Sequence, residues 1–103
     1  MDTQLRKGLL ELCVLAVLRE HDSYGYQIIK EISEYIDISE STLYPILRRL
    51  ESEEKVVTYN TQYNNRIRKY HKISEKGLHT LEEFSREKET LIRIIDWVGG
   101  NKT

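Results

Sequence analysis

The run Leu12-Cys13-Val14-Leu15-Ala16-Val17-Leu18 restricts this chain more than any other feature. It lies within a segment, residues 4–20, that reads as one helix, and its middle is apolar almost all the way round. A helix of that kind must be buried on more than one side, so it is expected to be the scaffold on which the rest packs. A membrane span needs about 20 apolar residues, and this run is bounded at once by Glu11 and Arg19, so no membrane partner is expected. Met1-Asp2-Thr3-Gln4 lacks the basic start and apolar stretch of a secretory leader, which makes the expected location cytoplasmic. The one cysteine, Cys13, sits inside the apolar run and reads as a core thiol in a reducing compartment.

With 103 residues, 39% hydrophobic and 32% charged, the chain is globular and can bury one modest core. So short a chain gains from a second subunit, which makes an oligomer the expectation. No repeat or Pro/Gly/Ser-rich linker divides it.

After the break at His21-Asp22-Ser23, Ser23 can cap a second helix from Tyr24 to Tyr35. In it Gly25, Ile28, Ile29, Ile32 and Tyr35 recur at three- and four-residue spacing. Ser39, followed by Glu40, opens a third helix toward Glu54 with the apolar stripe Leu43, Ile46, Leu47 and Leu50. The period then changes. Val56-Val57-Thr58-Tyr59 and Arg66 to Ile73 read as two strands, with the turn-rich stretch Asn60 to Asn65 between them. Ser74-Glu75 opens a last helix that reaches Val98 and stops at Gly99-Gly100.

This order of elements predicts a mainly α (α+β) fold: a winged helix-turn-helix over residues 1–73, with a two-stranded wing, and a long C-terminal dimerisation helix over 74–103. At 100° per residue the stripe of the third helix is buried, which leaves Ser41, Thr42, Tyr44, Pro45 and Arg48 on or beside the opposite face. Small hydroxyls near a helix N-terminus, with arginine further along, suit phosphates and base edges in a major groove. Arg49 points more to the side than Arg48, and for both the plainer expectation is a solvated helix face with salt bridges to Glu51 or Glu53. Tyr24, at the start of the second helix, can touch phosphate. From Lys55 to Lys72 there are five basic residues and no acidic one, in a chain of net charge −1. Arg66, Arg68, Lys69 and Lys72 are accordingly expected to grip DNA from the wing, Arg68 and Lys72 facing outward by strand alternation.

Three segments carry a resemblance to a family: Tyr24-Gly25-Tyr26-Gln27-Ile28, Thr42-Leu43-Tyr44-Pro45-Ile46-Leu47-Arg48-Arg49-Leu50-Glu51, and Arg68-Lys69-Tyr70-His71-Lys72-Ile73-Ser74-Glu75-Lys76-Gly77. Taken in order, over nearly the whole chain, they resemble PadR-type transcriptional regulators, specifically the short members with one C-terminal helix. The resemblance implies a homodimeric repressor that binds a partly palindromic operator in double-stranded DNA and is released by a small-molecule effector or stress signal. Where the family commonly carries two aromatics after Arg-Lys, this chain has Tyr70-His71.

Gly77, Leu81, Phe84, Lys88, Leu91, Ile95 and Val98 alternate steps of four and three, a heptad seam with one polar interruption at Lys88. About 24 helical residues span about 36 Å, more than one small core can cover, so Leu81, Phe84, Lys88, Leu91, Ile95 and Val98 are the expected dimer contacts. Trp97 lies near the end of this helix. His21, His71 and His79 with Cys13 match no metal spacing, and no nucleophile pairing or Gly-rich phosphate loop is present, so neither a metal, a cofactor nor an enzymatic activity is expected. The competing reading is a winged-helix module that docks another protein and does not bind DNA specifically.

Overall fold

The computed structural model describes residues 1–100; the end of the arm expected over 74–103 therefore lies in part, at 101–103, outside the described residues. The element order is α1 (Thr3–Glu20), α2 (Gly25–Ile32), α3 (Glu40–Ser52), β1 (Val56–Tyr63), β2 (Arg66–Ile73), α4 (Glu75–Arg86) and α5 (Lys88–Val98). The Asp2 carboxylate caps α1 by accepting from the backbone N–H of Gln4 and Leu5, at 3.0 and 3.2 Å. Among the described residues no helix is long and apolar enough to cross a membrane.

Leu10, Val14, Leu15 and Leu18 of α1 are buried together with Ile28 and Ile32 of α2, the stripe Leu43, Ile46, Leu47 and Leu50 of α3, Val56 of β1 and Leu81 of α4. Cys13 is half-buried beside this cluster, and that burial pushes its thiol pKa up. The apolar run of α1 thus meets α2, α3, β2 and α4, as a helix without a polar side must.

Local structure departs from the sequence reading at four places. Ser23 does not cap α2; the cap position belongs to Tyr24, which makes no side-chain cap bond. Ser23 is instead buried and exchanges two backbone hydrogen bonds with His71, its N–H donating at 3.1 Å and its carbonyl accepting at 2.7 Å, so a third short segment joins the sheet. Helix α2 ends at Ile32, short of Tyr35, because Glu34 and Tyr35 donate to carbonyls three residues back, which tightens the last turn. Strand β1 runs on to Tyr63, so the loop is only Asn64-Asn65. Their φ values of 50° and 62° are those of a two-residue hairpin turn, and asparagine tolerates them. The C-terminal helix is in two pieces that meet at Glu87, where the N–H donates to Phe84. The break falls in the charged stretch Arg86-Glu87-Lys88-Glu89, which offers no apolar side chain to pack.

One corner joins α3, the wing and α4. The Glu54 N–H donates to Glu51 and the Lys55 N–H to Leu50, closing α3 with a left-handed residue, Glu54, at φ 62°. The Ser74 hydroxyl donates to the Glu54 carbonyl at 2.6 Å and accepts from the Gly77 N–H at 3.2 Å, which caps α4. A side chain at Gly77 would strike the Lys55 carbonyl, a backbone atom that cannot swing aside. Gly77→Ala should therefore cost about 1–3 kcal/mol. Gly8→Ala, at an open position in α1, should gain about 0.5–1 kcal/mol. Thermal melting of the two variants checks both signs.

Buried His71 has its pKa pushed below the ordinary 6.5, chiefly by loss of water. Its Nδ1 and the Ser23 hydroxyl oxygen have no hydrogen-bond partner among the described residues. A histidine kept neutral by the fold contributes stability above its unfolded pKa and loses it as pH falls through and below that value. Exposed His21 acts in the opposite sense, because the Asp22 carbonyl and Glu31 raise its pKa, and its contribution fades as pH rises. With His21→Gln in place, the urea midpoint should drop between pH 7 and about pH 5.5. A flat profile in that variant would contradict the burial argument.

Candidate nucleic-acid interface

Helix α3 turns its leucine and isoleucine stripe inward and leaves Ser41, Thr42, Tyr44, Pro45 and Arg48 exposed. At its N-terminus the Ser39 hydroxyl lies 3.0 Å from that of Ser41 and 3.2 Å from that of Thr42. Three hydroxyls thus gather where the helix dipole favours an anion. The helix continues through Pro45, whose ring faces outward. The two arginines divide as their angles predict. Arg49 pairs with Glu11 at 3.5 Å and Glu53 at 3.3 Å, whereas Arg48 has no ion pair among the described residues. Tyr44 stands beside the start of α2, and a Cβ at Gly25 would come within 2.5 Å of its hydroxyl. Glycine is what lets Tyr44 lie this close to α2.

The wing supplies the opposite wall. Ile67, Lys69 and His71 occupy one face of β2, and Arg66, Arg68, Tyr70 and Lys72 the other. Between wing and helix runs an open groove of about 820 Å³, whose lining includes Tyr24, Tyr44, Arg48, Arg66, Arg68 and Lys69. Glu51 is the acidic residue that lines it, so cations dominate its walls. Six of the ten residues expected to meet DNA therefore share one concavity. Ser41, Thr42 and Pro45 lie on the remainder of the α3 face. Lys72 is exposed, but it pairs with Val57 near the base of the hairpin and does not line the groove.

Arg68 is only half-exposed. Its guanidinium carbon lies 4.0 Å from the centroid of the Tyr24 ring and 4.2 Å from that of Tyr63. Tyr70 meets Tyr24 edge-on at 5.5 Å and stacks on Tyr59 at 5.7 Å. The Tyr59 hydroxyl donates to Asp22 at 2.6 Å, and this bond to a carboxylate raises the tyrosine pKa. Sequence reasoning missed Tyr59, Tyr63 and Asp22. The signal was present in the alternation of Tyr59, Thr61 and Tyr63, but a strand ended at Tyr59 conceals that Tyr63 lies diagonally across from Arg68. His71, where the resemblance leads one to expect an aromatic, faces the interior against Ser23.

The residues of the expected dimer seam fall into two groups. Leu81 is in its own domain's core, and Leu91 is half-buried. Phe84 and Lys88 are exposed, while Ile95 and Val98 are 66% and 74% exposed and Trp97 between them is 78% exposed. None of the residues of α5 is buried.

The model of the transcriptional regulator PadR-like family matches residues 14–83. An uncharacterised protein of Lysinibacillus sphaericus is 35% identical over 95 residues, 87% of each chain. A PadR family transcriptional regulator from Eggerthella lenta is 33% identical, with a TM-score of 0.80 over 92% of this chain and 85% of that one. A PadR-like transcriptional regulator from Bacillus cereus is 27% identical, with a TM-score of 0.82 over 97% of this chain and all, 100%, of the other. The family model covers more than half of the chain and these relatives agree with it, so the chain that forms this groove is a member of the PadR-like family of transcriptional regulators.

Proposed function

We propose that this DNA-binding regulator is a homodimeric repressor that occupies a partly palindromic operator and leaves it on binding an effector, a small molecule or a stress signal. The observation that carries the proposal is Arg48, exposed, unpaired among the described residues and aimed into a groove whose far wall carries Lys69. In this reading α3 enters the major groove, Arg48 reaches base edges, and Ser41, Thr42 and Tyr44 meet phosphates near the helix start. Pro45 keeps that face free of one backbone N–H. Arg66, Lys69 and Lys72 hold the flanking backbone, and Tyr24 adds a phosphate contact from α2. Repression follows from occlusion of the promoter. A purified chain of this kind has its natural place in the cytoplasm.

The second subunit is supported by the arm. Helix α5 leaves Ile92, Ile95, Trp97 and Val98 in water, an arrangement that a monomer has no reason to keep. Packing of α5 against a second copy along Leu91, Ile95 and Val98, with Phe84 at the end of α4 and Lys88 as the polar interruption where the two helices meet, would cover much of this apolar surface. It would also supply the two-fold axis that paired half-sites require. The winged-helix unit, 1–73, and the arm, 74–103, then divide the labour between reading DNA and pairing subunits.

The direct test is binding of the purified chain to a labelled fragment of its own upstream region, at two salt concentrations and against a scrambled duplex. Phosphate contacts make log affinity fall linearly with log salt, so tight, salt-sensitive and selective binding is expected. A lack of preference would favour a protein-docking module. Arg48→Ala should weaken selective binding by about 1–3 kcal/mol and relax the sequence preference at one position. Ile95→Asp combined with Val98→Asp should yield a monomer in sedimentation and lose selective binding with the wing and α3 intact. A dimer that survives both substitutions would place the subunit contact elsewhere.

A further inference from the structure

A wing can assist a recognition helix only if the distance between them is held constant, and a two-stranded hairpin alone is marginal in water. In this chain a continuous row of contacts runs from one to the other. Tyr44 of α3 lies against Gly25, and the next residue back, Tyr24, faces the guanidinium of Arg68. Arg68 in turn faces Tyr63, one residue before the turn at the wing tip. Tyr70 braces the row by meeting Tyr24 edge-on, and the stack of Tyr70 on Tyr59 is tied to the start of α2 through Asp22. The row is built mainly from tyrosine rings, and Arg68 bridges two of them, Tyr24 and Tyr63.

We infer that Arg68 is a positioning residue: its guanidinium, held against Tyr24 and Tyr63, sets the separation between the wing and α3, and its charge is used on tyrosine faces and not on a phosphate. The inference rests on the DNA-binding reading and removes one cation from it. A guanidinium is suited to this task because it is planar and weakly hydrated, so it can lie over an aromatic face where an ammonium would keep its water. The neighbouring Lys69, on the opposite face of β2, lines the groove and makes neither contact.

The test compares Arg68→Ala, Tyr63→Leu and Lys69→Ala in the full chain, read in two ways. Amide hydrogen exchange of the free protein at Gln62 to Ile67 should rise in Arg68→Ala and in Tyr63→Leu and stay unchanged in Lys69→Ala. Binding to the duplex from the chain's own upstream region should weaken roughly three- to thirty-fold in Arg68→Ala and Tyr63→Leu. Their slope of log affinity against log salt should match that of the wild type, whereas Lys69→Ala should lower it by about one. Tyr63→Leu keeps every charge, so it serves if Arg68→Ala fails to fold. Unchanged exchange at the wing tip in these two variants, or a reduced salt slope in Arg68→Ala, overturns the inference. If the wild type shows no preference for that duplex, the DNA-binding reading fails on its own, and the exchange measurement still decides the role of Arg68.

Discussion

The burial of the middle of α1 against four other elements is the constraint from which the rest of the structure follows. Leu10, Val14, Leu15 and Leu18 leave almost no surface to water, and that requires four other elements to close around them. Each partner brings one apolar stripe and no more, so each has a polar side that must point outward. For α3 the consequence is decisive. Once Leu43, Ile46, Leu47 and Leu50 are committed to α1 and α2, the only direction left for Arg48, Pro45 and Ser41 is away from the domain. The face proposed to meet DNA is thus the remainder of a packing problem solved around a single helix.

The second constraint acts at the other end of α3. A glutamate, Glu54, holds a left-handed conformation that glycine would hold more easily, and a closing pair of backbone bonds together with the Ser74 hydroxyl stabilises it. The carbonyl of the next residue, Lys55, accepts from the Ser74 N–H and faces Gly77, so the exit of α3, the first strand and the first turn of α4 are fastened to one another. The molecule measures 57 × 26 × 21 Å.

Much of the fold and part of the site were legible in the residues. The periodic stripes of α1 and α3 located both helices, because a 3.6-residue repeat of large aliphatic side chains has few other solutions. Arg48 was separable from Arg49 by angle alone, and the structure gives Arg49 the two carboxylates that occupy it. Boundaries were less legible. Ser23 has the chemistry of a cap, yet its backbone is taken by His71, a residue 48 positions away that no local reading can bring near. Asn60 to Asn65 looks like a loop by composition. Most of it is strand, because Arg66 to Ile73 offers a partner for every residue of β1 and only Asn64-Asn65 need turn.

By itself, the sequence determined the order and type of the elements apart from the break in the last helix, which face of each is apolar, where the positive charge collects and to which family the chain belongs. These properties depend on neighbours three or four residues apart, or two in a strand, and so they are written locally. Only the tertiary structure decided that Tyr24, Arg68 and Tyr63 meet, that Lys69 rather than Lys72 lines the groove, and that Leu81 serves its own core while Ile95, Trp97 and Val98 stay in water. Each of these depends on the angle between elements distant in sequence. That angle is set by how side chains of particular volume close around α1, a quantity that no single stretch of the chain contains.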